Sequence, residues 1–541
     1  MAKEDVSRRS FLKAAGVAAA GMVAAPALAS CTQAKAAADT SWWMPAQWDR
    51  EVDIVVVGTG GGGLVAGLTA QENGDEVLVL EKAPEGEEGG NSRVCGQLIY
   101  CPKSVSGAVE YQKNLNGLYH VDEEVLQEWA EAMVALPDLL TGYGANLVEY
   151  GSMNPEFPGM GGEGVARVFY IDQPFFSSAW NFLKEMVDDE GVEILYGTPG
   201  RRLIQNPETR EIVGIVAGEE GSEIHIKARK GVLLACGGFE NNQRMARDYL
   251  PDMTTVAPLG TPYNTGDGIV MAQAVGADLW HMNSLAGPYL GFRHPELEIG
   301  LAPTMVTVKH ILVNGGGKRF VNEDTISDTK HGKIEVNGRW AHLPTPLPVY
   351  QIFDDTNFDA TGVFAGVPFM TWSGIVAGIE SKENNDEELA AGWITHATSI
   401  EELAAKINLD PAVLKETVDT YNANAANNVD PDFGRGAARG GLLIGEESDA
   451  SDAYELLPLT GPNYYAIEFC ATMLNTQGGP RRNGKGQILD TAGSPIPRLY
   501  STGELGAPYP FLYNGGGNLG ETIAFGRVGA NEIAKLEAWD A

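Results

Sequence analysis

The sequence predicts an α/β protein with a parallel sheet and one long segment that departs from that pattern. Three observations predict this fold class. A β-branched strand over residues 52–57 runs into a glycine-rich turn and a helix. Another strand and glycine turn follow at residues 232–239, whereas residues 288–445 break the alternation. Strands that alternate with helices in this way form a mostly parallel sheet with helices on both faces.

The composition is that of a globular and strongly acidic protein. The chain has 541 residues, of which 44% are hydrophobic and 20% charged, and its formal net charge is −34 at pH 7. A disordered chain or a fibre is therefore not expected. Because proteins bind nucleic acids largely by neutralising phosphates with lysine and arginine, this charge excludes a nucleic-acid partner.

The first 30 residues predict a targeting signal. A basic segment that contains the pair Arg8–Arg9 precedes the apolar stretch Ala14–Ala29, whose 16 residues are too few to span a bilayer as a helix. The arginine pair resembles a twin-arginine export signal, and an ordinary export signal is the alternative. We therefore expect a location at the outer face of the cytoplasmic membrane or in the periplasm.

The residues after the signal predict a membrane tether. Leu28–Cys31 resembles a bacterial lipobox, which would place a lipid on Cys31, and simple cleavage after Ala29 is the alternative. Residues 31–50 are then expected to form the tether. The five cysteines include no C-x-x-C pair, so neither a metal site nor a haem attachment is predicted.

A dinucleotide site opens the folded part of the chain. Val52–Val57 predicts a buried strand, and Gly58, Gly60 and Gly63 form the pattern G-x-G-x-x-G at the start of a helix. A second strand ends at Glu81, 23 residues after Gly58. Such glycines allow the backbone to approach a pyrophosphate, and the acid accepts ribose hydroxyl groups. An acid at this position disfavours the extra phosphate of NADP.

The segment 288–445 carries signals of loops and helices. Prolines at 344, 346 and 348 indicate loops. Ser399-x-x-Glu402 is a capping box that predicts one helix start, and Asp410–Pro411 predicts another, with proline in the first turn. We therefore expect this segment to form a region of its own.

Further motifs extend over nearly the whole chain. They are Gly89–Ser92, Asn264–Gly268, Gly317–Glu323, Tyr464–Glu468, Leu499–Glu504 and Tyr513–Gly520. With these motifs the chain resembles the fumarate reductase/succinate dehydrogenase flavoprotein family, which includes flavocytochrome c fumarate reductases and 3-ketosteroid dehydrogenases. The resemblance implies a Rossmann-like FAD-binding domain (residues 51–287 and 446–541) interrupted by an α+β capping domain (residues 288–445) that closes over the flavin.

The resemblance also implies which residues contact FAD. They are Gly58, Gly60 and Gly63 at the pyrophosphate, Glu81 at the adenosine ribose, Asn91, Ser92 and Gly96 on the flavin side, Asp267 and Glu504 at the ribityl–diphosphate region, and Asn518 and Leu519 at the flavin N1–O2 edge. Because no histidine stands in Gly89–Ser92, where some relatives attach the cofactor, we expect non-covalent FAD.

The substrate positions depart from those of a fumarate reductase. Where the resemblance places the proton-donating arginine, this chain has Ser327, and it has Tyr513 and Asn475 in place of a second arginine and a histidine. Because a buried dicarboxylate needs fixed cations, we expect the pocket to prefer a neutral or weakly charged substrate.

Tyr513 and Gly517 suggest how such a substrate is activated. Their spacing is similar to that in the ketosteroid dehydrogenases, where a tyrosine hydroxyl and a glycine N–H polarise a ketone. Ser327 is a poor acid, which leaves the proton donor open, with Tyr289, His294 and His310 as candidates.

The sequence therefore predicts an exported FAD-dependent oxidoreductase that reduces an activated C=C bond by hydride transfer from flavin N5. Its partners would be a small-molecule acceptor and an external electron donor, which we expect to be a membrane quinol-oxidising cytochrome. Two alternatives stay open. One is a ketosteroid-type dehydrogenase running from CH–CH to C=C, and the other is a non-catalytic flavin electron carrier.

Overall fold

The computed structural model describes most of the chain from Trp43 onward. The described residues are 43–173, 177–251, 253, 255–287, 290–301, 309–323, 331–336, 338–344, 346–360, 362, 371–380, 384–435 and 456–539. The predicted targeting signal, Cys31, Tyr289 and Ser327 lie outside them. From Trp43 the chain forms one compact unit.

The main sheet is parallel in its centre. Its spatial order is Gln487–Leu489, Pro495–Ser501, Ile224–Leu234, Arg50–Val57, Val77–Leu80 and Glu193–Leu195. Among these described strands, the first two neighbours pair antiparallel, and every later pair of neighbours is parallel. Gly200–Gln205 and Ile212–Ala217 extend the sheet as antiparallel strands beside Ile224–Leu234. This arrangement confirms the predicted α/β fold class with a parallel sheet.

The described helices range in length from one turn to five turns. They are Gly61–Glu72, Gly90–Val94, Val105–Leu115, Glu123–Val134, Leu136–Gly142, Ser178–Asp189, Gln243–Tyr249, Asp267–Ala274, Asp355–Ala360, Trp372–Ile375, Asp386–Ala390, Ile400–Lys406, Pro411–Ala425 and Gly517–Ala534, and Gly151–Met153 forms a 3₁₀ turn. Among the described residues, no helix has the length and apolar character that a membrane span requires.

Two glycine-containing helices cross closely next to the main sheet. Helix Gly61–Glu72 is buried over its first ten residues, and helix Gly517–Ala534 packs against it. At the crossing, a Cβ on Gly526 would lie 2.4 Å from the Gly62 carbonyl oxygen. Glycine is therefore required there for the two backbones to touch, and the contact fixes the start of each helix relative to the other.

A second sheet, which is antiparallel, contains most of the longer strands of the predicted capping segment. Its spatial order is Gly300–Leu301, Leu290–Arg293, Tyr464–Ala471, Val349–Asp354 and His310–Asn314, with Thr395–Ala397 also paired to Tyr464–Ala471. The sheet therefore combines strands from the predicted capping segment with one strand from beyond residue 446. The domain boundaries stay a prediction.

Helices Ile400–Lys406 and Pro411–Ala425 cover this sheet, and both begin where the sequence predicts. The Ser399 hydroxyl accepts the Glu402 N–H at 3.1 Å, and the Asp410 carboxylate accepts the Ala412 N–H at 2.9 Å. These bonds satisfy N–H groups that have no acceptor within the helix. The two predicted helix starts are confirmed.

A buried charge cluster anchors the loop beside the capping sheet. Arg319 binds the fully buried Glu323 through two N–H groups, at 2.8 and 2.6 Å, and binds Asp430 at 2.8 Å. Glu323 also accepts the Leu312 N–H at 3.1 Å. Because two acids surround Arg319, its guanidinium pKa is raised despite burial. The family motif Gly317–Glu323 thus contains a structural ion pair.

The remaining short strands form small sheets. They are Ile99–Tyr100, Val168–Ile171 and Leu147–Glu149 in one sheet, and the pairs Leu279–Trp280 with Gly479–Pro480, Leu285–Ala286 with Asn475–Thr476, and Lys333–Val336 with Arg339–His342. The last pair is a hairpin in the capping segment.

Candidate active site

The glycine turn lies at the carboxyl end of the first strand. Gly58 has a φ of +107°, which favours glycine, and Gly60 caps helix Gly61–Glu72. A Cβ on Gly63 would lie 1.9 Å from the Gly58 carbonyl oxygen. The turn therefore presents backbone N–H groups and a helix N-terminus with no side chain in the way, which is the surface that a pyrophosphate needs.

Glu81 lies beside this turn, as the spacing predicts. Its buried carboxylate accepts the Thr59 N–H at 3.0 Å and the Ala83 N–H at 2.7 Å. These bonds fix the acid next to the place where a ribose would follow the pyrophosphate. Contact between Glu81 and the ribose stays a prediction.

Two other predicted FAD contacts, Ser92 and Leu519, lie near the same turn. The Ser92 hydroxyl stands close to Gly60, because a Cβ built there would lie 3.4 Å from Oγ. Leu519 reaches the turn from helix Gly517–Ala534, 3.6 Å from a Cβ built on Gly61. Gly96 lies in the loop that follows helix Gly90–Val94.

Asp267 lies at the start of helix Asp267–Ala274 and forms an ion pair. Lys82, which follows Glu81, donates to the Asp267 carboxylate at 2.8 Å, and the Thr265 hydroxyl donates to its other oxygen at 2.9 Å. Because Lys82 is adjacent to Glu81 in the chain, the ion pair brings Asp267 close to the segment that carries Glu81, and contact between Asp267 and FAD stays a prediction.

Asn91, predicted to lie on the flavin side of the cofactor, joins two acids. Its side-chain N–H group donates to Glu240 at 2.7 Å and to Glu504 at 3.1 Å, and its oxygen accepts the Thr261 N–H at 2.9 Å. Asn264 donates to the same two acids, at 2.8 and 3.2 Å. The structure thus brings two predicted FAD residues, Asn91 and Glu504, into one cluster.

The two acids of this cluster favour their protonated forms. Burial raises the pKa of Glu240 to about 7. Burial also raises the pKa of Glu504 well above its ordinary value, and the neighbouring Glu240 carboxylate raises it further. Two carboxyl groups this close in a dry site do not both ionise readily. Glu240 was not predicted from the sequence.

Two hydrogen bonds join Gln477, Asn518 and Tyr513 in a short chain. Gln477 donates to the Asn518 side-chain oxygen at 3.0 Å, and the Asn518 side-chain N–H group donates to the Tyr513 hydroxyl oxygen at 3.0 Å. Asn518 stands in the first turn of helix Gly517–Ala534, where the N–H groups lack acceptors within the helix. The helix start and the Tyr513 hydroxyl are therefore adjacent.

Tyr513 is buried between two other rings. His331 stacks on it with ring centres 4.1 Å apart, and Tyr509 stacks on it at 5.1 Å. Burial raises the pKa of Tyr513 well above its ordinary value, and nearby Glu156 adds to the rise. The hydroxyl therefore remains protonated at neutral pH and available to donate, since Asn518 uses only its oxygen.

Gly517 and Asn475, the other two catalytic candidates among the described residues, form hydrogen bonds within the protein. The Gly517 N–H, predicted to polarise a carbonyl, donates to the Asn514 carbonyl oxygen at 2.9 Å. Asn475 is buried, pairs with Ala286, and donates its side-chain N–H group to the Thr476 carbonyl oxygen at 3.0 Å. The roles of both residues stay predictions, and Ser327 lies outside the described residues.

Sequence reasoning missed several residues around Tyr513. Nε2 of His331 donates to the buried Glu156 carboxylate at 3.1 Å. Lys333 is almost wholly buried, which lowers its pKa to about 7, and its amine bonds to the Leu285 carbonyl oxygen near the Phe511 ring. The chain has only eight histidines, and this scarcity was the one signal in the sequence that could have marked His331 as a candidate site residue.

The two described histidines proposed from the sequence have structural contacts. His294 accepts the N–H groups of Glu296 and Leu297, each at 3.2 Å, and packs against Trp393 with ring centres 5.0 Å apart. His310 lies buried in a strand of the antiparallel sheet. The role of either residue as proton donor stays a prediction.

Comparisons with known proteins agree with the geometry of the site. The FAD binding domain family matches residues 53–519. The digoxin reductase of Eggerthella lenta is 26% identical over an alignment that covers 99% of this chain and 98% of that protein. The fumarate reductase (cytochrome) of Shewanella frigidimarina is 27% identical, with 90% of this chain and 77% of that protein covered.

A solved structure shows the same fold. The 3-ketosteroid Δ1-dehydrogenase from Sterolibacterium denitrificans superposes with a TM-score of 0.72, at 23% identity, over 90% of this chain and 99% of that one. The family match confirms FAD as the cofactor, and the glycine turn, Glu81 and the Asn91 cluster fit it, whereas non-covalent attachment stays a prediction. The chain belongs to the FAD binding domain family, together with fumarate reductases and ketosteroid dehydrogenases, and is an FAD-dependent oxidoreductase that acts on CH–CH or C=C groups.

Proposed function

We propose that this enzyme reduces a C=C bond conjugated to a carbonyl, in a neutral or weakly charged acceptor. One observation carries the proposal: Tyr513 is a buried, protonated hydroxyl group held by Asn518 at the start of a helix beside the cofactor site. FAD, when bound and reduced, supplies hydride. Negative charge then develops on the carbonyl oxygen of the acceptor, and a fixed hydroxyl donor stabilises it.

The surroundings of Tyr513 favour an acceptor with little charge. Burial lowers the pKa of His342 to about 4, and that of Lys333 to about 7. Both groups therefore carry less positive charge at neutral pH than they would in water. Two apolar rings pack on the hairpin, Phe157 on Trp340 with ring centres 5.3 Å apart and Phe511 on His342 at 5.6 Å, which suits a flat apolar acceptor.

We also propose the export route and the electron supply. Arg8–Arg9 and Cys31 support twin-arginine export followed by lipid attachment, and a tethered enzyme would lie beside membrane electron donors such as a quinol-oxidising cytochrome. Replacing Arg8 and Arg9 with lysine tests export, because the precursor should then accumulate in the cytoplasm. Cys31→Ser tests the anchor, because the mature protein should then leave the membrane fraction.

The reaction is tested with the purified holoenzyme under anaerobic conditions. The flavin is photoreduced, and its absorbance is followed after adding an aromatic enone, an unsaturated lactone, a steroid enone or fumarate. Rapid reoxidation by one of the uncharged acceptors, with fumarate inert, is the expected result. Reoxidation by fumarate alone would contradict the preference for low charge.

Two other outcomes separate the alternatives. Reduction of the oxidised flavin by a saturated ketosteroid, without reoxidation by any enone, would favour the dehydrogenase direction. An enzyme whose flavin is inert to every acceptor and exchanges electrons only with a redox protein would be an electron carrier.

A further inference from the structure

A histidine from the capping segment lies against Tyr513. His331 stacks on the Tyr513 ring at 4.1 Å, and its side chain is 14% exposed. It belongs to the turn that precedes strand Lys333–Val336, whereas Tyr513 precedes helix Gly517–Ala534. The contact therefore joins the capping hairpin to the predicted substrate-activating residue.

One ring nitrogen of His331 is held by a buried acid. Nε2 lies 3.1 Å from the Glu156 carboxylate, whose side chain is only 1% exposed. The same carboxylate oxygen accepts the Gly515 N–H at 2.5 Å, and the Glu156 N–H donates to Asn514 at 3.0 Å. Glu156 is thus attached by two bonds to the loop that follows Tyr513, so it fixes His331 relative to Tyr513.

The hydrogen bond to Glu156 determines which nitrogen can act. The Glu156 carboxylate accepts a hydrogen bond from Nε2–H, which leaves Nδ1 as the nitrogen without a hydrogen-bond partner among the described residues. His331 also has a φ of +55°, a backbone conformation that residues other than glycine rarely adopt. Strain of this kind persists where the surrounding structure enforces it, and it is frequent at active sites.

We propose that His331 donates the proton that completes the reduction, from Nδ1, and that Glu156 is its positioning residue. The proposal rests on the proposed function. Hydride supplied by reduced FAD forms the C–H bond at the β-carbon, and the π electron pair moves to the α-carbon and its carbonyl. His331 acts in its imidazolium form, in which both ring nitrogens carry a proton. The α-carbon takes the Nδ1 proton, the N–H electron pair stays on the ring, the neutral Nε2–H imidazole remains, and solvent restores the Nδ1 proton.

The first test compares variants of the holoenzyme with an acceptor that reoxidises the wild type. His331→Gln should lower the limiting rate of flavin reoxidation by about 10²- to 10⁴-fold, because a positioned general acid contributes that much. Acceptor affinity, measured from the difference spectrum of the oxidised flavin, should change by less than about threefold. His120→Gln, at a side chain that is 86% exposed, is the matched control and should leave both quantities unchanged.

Two further readouts separate proton donation from a structural role. Added imidazole should restore part of the rate of His331→Gly, because a small acid fits the vacated space. Nitrogen NMR of the wild type should show the neutral His331 ring as the Nε2–H tautomer. Glu156→Gln should abolish that preference, whereas Glu156→Asp should retain some of it.

The outcomes are distinguishable. A wild type that no enone or enoate reoxidises overturns both the proposed function and the role of His331. A wild type that is reoxidised, with His331→Gln equally fast or with the neutral ring in the Nδ1–H tautomer, overturns only the role of His331. A variant that loses acceptor affinity and rate in equal proportion also overturns proton donation.

Discussion

The carboxyl groups of Glu240 and Glu504 accept hydrogen bonds from the same two side-chain amides. Asn91 donates to them at 2.7 and 3.1 Å, and Asn264 donates to them at 2.8 and 3.2 Å. The shared donors hold the two acids close together in a buried site. Because like charges at that distance repel strongly, the pair retains a proton at pH values where an exposed glutamate has lost it.

Removal of Glu240 should change how stability depends on pH. Burial raises the pKa of Glu240 from 4.5 to about 7, so the folded protein binds more protons than the unfolded chain between these values. Its contribution to stability is therefore complete below pH 4.5 and is lost as the pH rises to about 7. In urea unfolding of the holoenzyme, the free energy of unfolding of Glu240→Gln should therefore fall by roughly 1–3 kcal/mol less than that of the wild type over this pH range. The exposed Glu220→Gln is the control, and a variant that declines as steeply as the wild type would refute the prediction.

Replacement of Lys333 should have the opposite pH dependence. Burial lowers its pKa from 10.5 to about 7, so the unfolded chain binds more protons between these values and wild-type stability rises with pH across them. Lys333→Met removes the cost of burying the charge and should stabilise the protein at pH 6 by roughly 1–4 kcal/mol, less at pH 9. Thermal unfolding at both pH values, with Lys103→Met as control, measures the difference. An equal gain at both values would contradict it.

Loss of the Tyr513 hydroxyl should reduce catalysis without loss of binding. Tyr513→Phe keeps the stacking with His331 and Tyr509 but removes the donor to the acceptor carbonyl. The rate of flavin reoxidation should fall about 10²- to 10³-fold, as for removal of one donor from an oxyanion site. Stopped-flow reoxidation by the best enone measures the change. Tyr249→Phe, on the surface, should behave as wild type, and a rate for Tyr513→Phe within a factor of about two of wild type would argue against the role.

A side chain at Gly63 should prevent FAD binding. A Cβ there would meet the Gly58 carbonyl oxygen at 1.9 Å, and backbone cannot move aside as a flexible side chain can. Gly63→Ala should therefore be purified with little flavin, seen as a low ratio of visible to ultraviolet absorbance, and should unfold at a lower temperature. Gly142→Ala has open space around it and should keep its flavin. Full flavin content in Gly63→Ala would exclude this account of the turn.

The sequence determined the features that depend on neighbouring residues. The strand before Gly58, the glycine turn, the helix after it and the position of Glu81 follow from local patterns of β-branched residues, glycines and one acid, and the structure has all of them. The helix starts at Ser399 and Asp410 were predictable for the same reason, because a cap acts within its own turn.

The tertiary structure alone decided which distant side chains meet. Glu156, His331 and Tyr513 are far apart in sequence, and no periodicity relates them, yet hydrogen bonding and stacking bring them together. Glu240 joins Glu504 in the same way, through amides of two further segments. Local propensities determine turns, strands and helix ends, whereas the proton donor and the shared acids depend on how packed elements place side chains across the cleft.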